Sequence, residues 1–404
     1  MPTFHKSFIS KFLMLLVLTA SVLVCCNFTQ LPGSSGTAHD CNSGAEAFAD
    51  QLRFDTLRIT FIGDVMQHAP QIKSAAAVAQ KQGLPSGSFN YSAMFRHIQP
   101  WLDKADIAVA NIEFPAGSSG YRGYPLFKGP AEVAIEAHRC GIDLALMANN
   151  HMADDGAAGI SYTLDLYDSL AMVHTGAFRN ISEREKDYPL IMEACRNVRL
   201  AFLNFTYSTN GNPVPEPFIV NAMDSVQVKE DLKKASDRGA DYIIVLPHWG
   251  IEYDLHPSSE QKCWTDMMLR CGAEAIIGAH PHVPEDGIIF ADSSGCVENI
   301  VFYSLGNYIS NQSKPYYTQT ELMVTLKIQL DKLTGASRMI EPEWEWLWCF
   351  KKGEFEDDYT VVPLSELKAL PEEKRAEYNN IITRLENLRD MHLIRTCIVQ
   401  GCNE

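Results

Sequence analysis

The chain has eleven cysteines but no Cys-x-x-Cys pair, which removes the ligand spacing of zinc ribbons and the thioredoxin redox motif. It is short of basic charge. Lys and Arg number 34 against 50 Asp and Glu, for a formal net charge of −16. Nucleic acid is a poor partner for such a chain, because binding it takes Lys and Arg to displace counterions. An anionic ligand is still allowed, since a bound cation can dominate the local field. No apolar run reaches the roughly 20 residues that a membrane-spanning helix needs. No internal repeat is visible, so a solenoid is excluded.

What is present is an ordinary globular balance over 404 residues, 46% apolar and 21% charged. That supports one large domain, or one domain with an appendage. The N-terminus has its own pattern. Lys6 and Lys11 precede an apolar stretch, Phe12 to Val24, that ends at Cys25-Cys26. A basic segment followed by a short apolar one reads as an export signal. The cysteines at its end resemble a bacterial lipoprotein cleavage box, with Cys26 as the lipidated residue and Cys25 as the alternative. Plain secretion and an uncleaved anchor are the other readings. The expected location is the cell envelope, lipid-anchored and facing the periplasm or exterior. Nine cysteines remain beyond these two, an odd number, so at least one thiol stays free if only intrachain bridges form. Cys397 and Cys402 are spaced for a local bridge.

Residues 1–26 are thus read as the signal, 27–54 as a Gly/Ser-rich tether, 55–335 as the main domain and 336–404 as an extension packing on its outside. Within the main domain, short apolar runs alternate with helical stretches. Strands are expected at Leu57–Ile62, Asp106–Ala110, Ile142–Met147, Val198–Phe205, Tyr242–Leu246, Glu274–Ile277 and Asn299–Tyr303, and a further strand, covering an edge, at Glu321–Leu330. Helices are expected at Pro70–Gln82, Tyr91–Ala105, Pro130–Cys140, Gly156–Leu170, Val226–Gly239 and Ser258–Cys271. Strands apolar at successive positions are buried on both faces, and the alternation argues for a layered α/β fold. Trp344, Trp346 and Trp348 alternate as one face of a strand does, and packing is their expected role.

Ligands in such folds bind beyond the carboxyl ends of strands. Six strand ends carry metal-ligand residue types: Gly63-Asp64-Val65-Met66, Asn111-Ile112-Glu113, Ala148-Asn149-Asn150-His151, His248-Trp249-Gly250-Ile251-Glu252, Gly278-Ala279-His280-Pro281-His282 and Ser304-Leu305-Gly306-Asn307. Each alone has a plain structural explanation as a turn, a helix cap or a hydrogen-bonded histidine. Their coincidence at successive strand ends carries the argument. Carboxylates and amide oxygens are hard ligands and imidazole suits Mn, Fe or Zn, so a mixed set can hold one or two divalent ions.

In this order, with Asp154 and Gly156 after the third motif, the series resembles the CapA family, the bacterial capsule-synthesis and poly-γ-glutamate biosynthesis group. The resemblance spans about Leu57 to Ser310. It implies a four-layer α/β/β/α sandwich similar to calcineurin-like metallophosphoesterases. It implies metal ligation by Asp64, Asn111, Glu113, Asn150, His248, His280 and His282, with His151 as the catalytic residue. Asn149, Asp154, Glu252 and Asn307 would support the ligands or the substrate. The resemblance also implies a phosphoester or anionic-polymer substrate, and capsule-export machinery as a partner. Two positions depart from the pattern: Met66 replaces a histidine and Asn111 an aspartate. Those departures leave open a non-catalytic polymer-binding role, and a general periplasmic phosphatase is the third reading.

Overall fold

The computed structural model describes residues 53–392 and 394–398. The expected signal, lipidated Cys26 and residues 27–52 of the expected tether lie outside the described residues, as does Cys402 of the expected bridge, while Phe54, expected in the tether, opens the first strand. Among the described residues no helix is long and apolar enough to cross a membrane.

Fourteen strands build two sheets. In chain order the first eight are β1 (Phe54–Val65), β2 (Ile107–Ile112), β3 (Leu144–Leu146), β4 (Val173–Thr175), β5 (Leu190–Glu193), β6 (Arg199–Thr206), β7 (Tyr242–His248) and β8 (Ala275–Ile277). They are followed by β9 (Gly287–Ala291), β10 (Val297–Phe302), β11 (Thr320–Asp331), β12 (Ser337–Cys349), β13 (Val361–Pro363) and β14 (Ile394–Ile398). The first sheet runs β13-β12-β11-β1-β2-β3-β4 and the second β14-β9-β10-β8-β7-β6-β5. Strands β1 to β4 pair in parallel, as do β6, β7, β8 and β10.

Period-two alternation sets the layers. Leu57, Ile59 and Phe61 of β1 share one apolar cluster with Leu200 and Phe202 of β6 and with Ile244 and Leu246 of β7, which puts that cluster between the sheets. The intervening residues face outward. Ile62, Ala108 and Ala110 pack with Val133 and Ala137 of helix Glu132–Arg139 and Ile160 and Leu164 of helix Gly156–Leu170. Ala201, Leu203, Ile243 and Val245 pack with Val228 and Leu232 of helix Ser225–Asp237 and Met268 of helix Ser259–Arg270. The result is the expected α/β/β/α sandwich.

Three expectations change. Tyr91–Ala105 is not one helix; only Gln99–Leu102 is helical. Before it the chain makes tight turns, with Met94 N–H donating to Tyr91 and Ile98 N–H to Phe95. Pro100 has no N–H to extend a helix backward through this point. The segment beyond 335 is not an outer layer either. The boundary at 335/336 falls in the β11–β12 turn, β12 and β13 extend the first sheet, and β14 pairs with β9 in the second. Its helix Glu372–Met391 sends Ile382, Leu385 and Leu388 into the cluster between the sheets, with Trp346 and Trp348. Strand β11 likewise lies inside the sheet, flanked by β1 and β12.

Candidate metal centre

The carboxyl ends of β1, β2 and β3 and those of β7, β8 and β10 open at the same end of the two sheets. Asn204 ties the sheets there, accepting the Ala148 N–H at 2.7 Å and donating to the Leu246 carbonyl at 2.8 Å. A single polar residue inside the apolar run of β6 was the signal for it in the sequence.

At the end of β1 the pairing with β2 shifts register between Ile62 and Asp64. Gly63 allows the backbone to pass the Gly306 turn, because a Cβ there would lie 2.1 Å from the Gly306 carbonyl oxygen. Its N–H donates to Glu321 Oε1 at 2.8 Å. Asp64 is thereby turned into the site with no solvent exposure. Glu321 was missed in the sequence, although a carboxylate in the buried run of β11 marks it. Burial holds its carboxyl well above the usual range, with the Asp64 charge adding to the effect.

Asp64 Oδ1 accepts from Asn111 Nδ2 at 2.8 Å. Its Oδ2 lies 3.2 Å from His282 Nδ1 and 3.3 Å from the His280 N–H. His282 Nδ1 also faces Asn307 Oδ1 at 3.1 Å. Two acceptors on Nδ1 place the proton there, leaving a lone pair on Nε2, which lies 4.0 Å from Glu113 Oε1. His248 Nε2 is 3.7 Å from the same Glu113 oxygen and 3.1 Å from Asn150 Oδ1. Ligand atoms of Glu113, His280 and His282 fall within 4.8 Å of one another, and so do those of Asp64, Glu113 and His248. His280 and His282 hold positive φ angles of 100° and 60°. That backbone is sparsely populated for residues with a Cβ and is concentrated at functional sites.

The donor set suits a divalent cation. Asp64 and Glu113 are fully buried side by side, a costly arrangement for two carboxylates. Glu113 Oε1, His280 Nδ1 and Asn150 Nδ2 are buried and have no hydrogen-bond partner among the described residues. Burial, and next the Asp64 charge, push the Glu113 carboxyl well above its usual range. Burial also drives His248 and His280 well below theirs, and the neighbouring histidines add to the shift. Both shifts favour the neutral ring, the form that ligates metals.

The remaining expected residues divide. His151 Nδ1 pairs with Asp154 Oδ2 at 2.7 Å, and its ring packs edge-on against Phe127 at 4.5 Å. Asp154 is itself fixed by the Phe127 N–H and by Asn212. Asn149 Nδ2 donates to the Ile112 carbonyl and approaches Asn111 Oδ1 at 3.4 Å. Asn111 therefore bridges carboxylates through its amide nitrogen while its oxygen faces Asn149. Glu252 is exposed in the turn after β7, outside the buried cluster. Met66 does not stand in the site; it is 1% exposed and joins the apolar cluster under the outer helices. At the rim, Tyr207 packs over His280 at 4.5 Å and Tyr253 lies 6.1 Å from His282; neither was anticipated.

Fold and site together define a layered α/β protein with a buried carboxylate–histidine cluster at its strand ends. Residues 58–312 match the family described as bacterial capsule synthesis protein PGA_cap, and the chain belongs to that family. It is 27% identical over 272 residues to the capsule biosynthesis protein CapA of Bacillus anthracis, covering 64% of this chain and 61% of that protein. It is 25% identical over 295 residues to the PGA biosynthesis protein CapA of Bacillus subtilis, covering 70% of each. Among solved structures it is similar to the calcineurin-like phosphoesterase YfkN of Bacillus subtilis, at 14% identity and TM-score 0.43, covering 83% of this chain and 99% of that one.

Proposed function

We propose that this is an exported capsule-biosynthesis protein with a metal-dependent hydrolase site acting on a phosphoester or on an amide-linked anionic polymer. The observation that supports it is the buried grouping of Asp64 and Glu113 with His248, His280 and His282, beside the His151–Asp154 pair. Those five residues would hold one or two divalent ions, Mn, Fe or Zn, with Asn150 adjoining them. When bound, such an ion supplies Lewis-acid polarisation of a phosphoryl or carbonyl oxygen.

The chain's own groups do the rest. The Asp154 carboxylate fixes the His151 ring through Nδ1 and leaves Nε2 as the proton-transferring atom. His151 gives its proton from Nε2 to the departing oxygen or nitrogen. Asn307 and Asp64 hold the His282 tautomer. The substrate's negative charge is drawn to the cation rather than to the acidic protein surface.

The envelope location rests on the N-terminal signal, with Cys26 carrying the lipid that anchors the chain to the membrane. The polymer and the capsule-export machinery are the partners this reading carries over from the family. The test is turnover of phosphoester and γ-glutamyl substrates by the metal-loaded full chain, with His151→Ala as control. No turnover of either class by metal-loaded protein would remove the enzymatic reading. Labelled palmitate should enter the wild type and not Cys26→Ala; equal labelling removes the anchor.

A second reading, a non-catalytic polymer-binding factor, is favoured by Met66 lying in the core and by the neutral amide at Asn111. It requires polymer binding that survives chelation.

A further inference from the structure

We infer that His68 is a substrate-binding residue, whose Nε2–H donates to an anionic oxygen of the substrate at the mouth of the metal centre. The inference rests on the hydrolase reading above and extends it to a residue that no motif contains.

Four observations carry it. First, the tautomer is set by the fold. The backbone N–H of Asn311 donates to His68 Nδ1 at 3.3 Å. Gln71 Oε1, which accepts the His68 N–H at 2.8 Å, also lies 3.2 Å from Nδ1. The direction of a peptide N–H is fixed by its plane, so Asn311 decides the matter. The ring hydrogen is on Nε2.

Second, His68 shares a wall with the reacting groups. Its ring meets Phe127 edge-on at 5.1 Å, and Phe127 meets His151 in the same way at 4.5 Å. His68 is only partly buried, unlike the ligand residues, which places it at the opening.

Third, the basic side chains near the site are already engaged. Arg122 and Lys128 are both held by Asp155. Lys351 is buried, donating to the Ser310 carbonyl. The surrounding carboxylates Asp64, Glu113, Asp154 and Glu252 all repel an anionic substrate. A neutral N–H donor adds no charge that would compete for the cation. Burial keeps His68 in that neutral form, pulling it down to about 4.

Fourth, Met66 turns into the core after β1, and His68, two residues later, is the first imidazole beyond that strand. No ligand grouping includes His68. Its role is therefore toward substrate and not toward the ion.

Inorganic phosphate is the probe, titrated by calorimetry into the Mn-loaded full chain. His68→Phe keeps a ring against Phe127 and removes the donor; His68→Gln restores an N–H. The first should weaken phosphate binding about 10-fold, the worth of one hydrogen bond to a charged group, and the second should recover part of it. Metal stoichiometry and melting temperature should be unchanged in both. Equal phosphate affinity in wild type and His68→Phe overturns the inference and leaves the hydrolase reading standing. Loss of metal from His68→Phe also overturns it, by making His68 a ligand. If the Mn-loaded wild type itself binds no phosphate, the phosphoester reading and this inference fall together.

Discussion

Glu113 Oε1 lies 3.7 Å from His248 Nε2, fully buried and without a hydrogen-bond donor. A carboxylate oxygen in that position is either protonated or matched by a cation. Glu113→Gln should therefore have opposite effects on the two forms of the protein. It should raise the melting temperature of the metal-free chain above pH 7, because the buried charge is gone. It should also abolish the stabilisation that added Mn gives, which is about 2.7 kcal/mol at a ligand concentration 100 times Kd. Thermal melts with and without metal check both halves. Equal metal-induced shifts in wild type and variant would exclude Glu113 as a ligand.

Glu285 gives a pH signature away from the centre. It is buried, its Oε2 accepts from Gln261 at 2.6 Å, and its Oε1 has no partner among the described residues. Burial, with Asp254 and Asp286 adding to it, pushes its carboxyl up to about 8. A folded pKa above the unfolded 4.5 means that the folded state holds the proton more tightly. The associated stability is complete below pH 4.5 and is lost as pH rises toward 8. Glu285→Gln keeps the bond to Gln261 and cannot ionise. It should match the wild type at pH 4.5 and exceed it at pH 8, by on the order of 4 kcal/mol. Denaturant melts at the two pH values test this.

The His151–Asp154 pair is separable from the metal ligands. His151→Ala should lower turnover by about 10² to 10⁴ while leaving metal content intact. Asp154→Asn should lower it too, since the His151 ring loses the carboxylate that orients it through Nδ1. Unchanged turnover in Asp154→Asn would show that Asp154 only packs.

Two glycines mark where backbones touch. A Cβ on Gly278 would lie 2.0 Å from the Tyr303 carbonyl oxygen. One on Gly63 would meet Gly306 nearly as closely. Either alanine variant should lose more than about 3 kcal/mol of stability or fail to fold. Alanine tolerated at both positions would contradict the close approach of the strand ends.

Much of this centre was legible because strand-end residues occur in chain order and a layered fold collects them at one edge. Asp64, Glu113, His248, His280 and His282 needed no more than that rule. Direction was not legible. Met66 follows Asp64 by two residues, as a site-facing side chain would, but β1 ends at Val65, and beyond it Met66 donates its N–H to the Ile309 carbonyl and turns into the core. Asn111 could be placed at the site, whereas the end of its amide that meets Asp64 depends on Asn149 across the turn. Glu321 and His68 belong to no motif and act through contacts more than 200 residues apart in sequence. The chain beyond 335 was misjudged because its helices are charged, and only the few apolar positions of Glu372–Met391 reveal that it packs inward.

The central claim is that the strand-end cluster is a metal site. The direct measurement is metal content of the purified full chain by elemental analysis, alongside His282→Ala. The account predicts at least one Mn, Fe or Zn per chain in wild type, lost from the variant, and a melting temperature that falls on chelation. A wild-type chain without stoichiometric metal, whose melting temperature is unmoved by chelator or by added Mn, Fe or Zn, would contradict it.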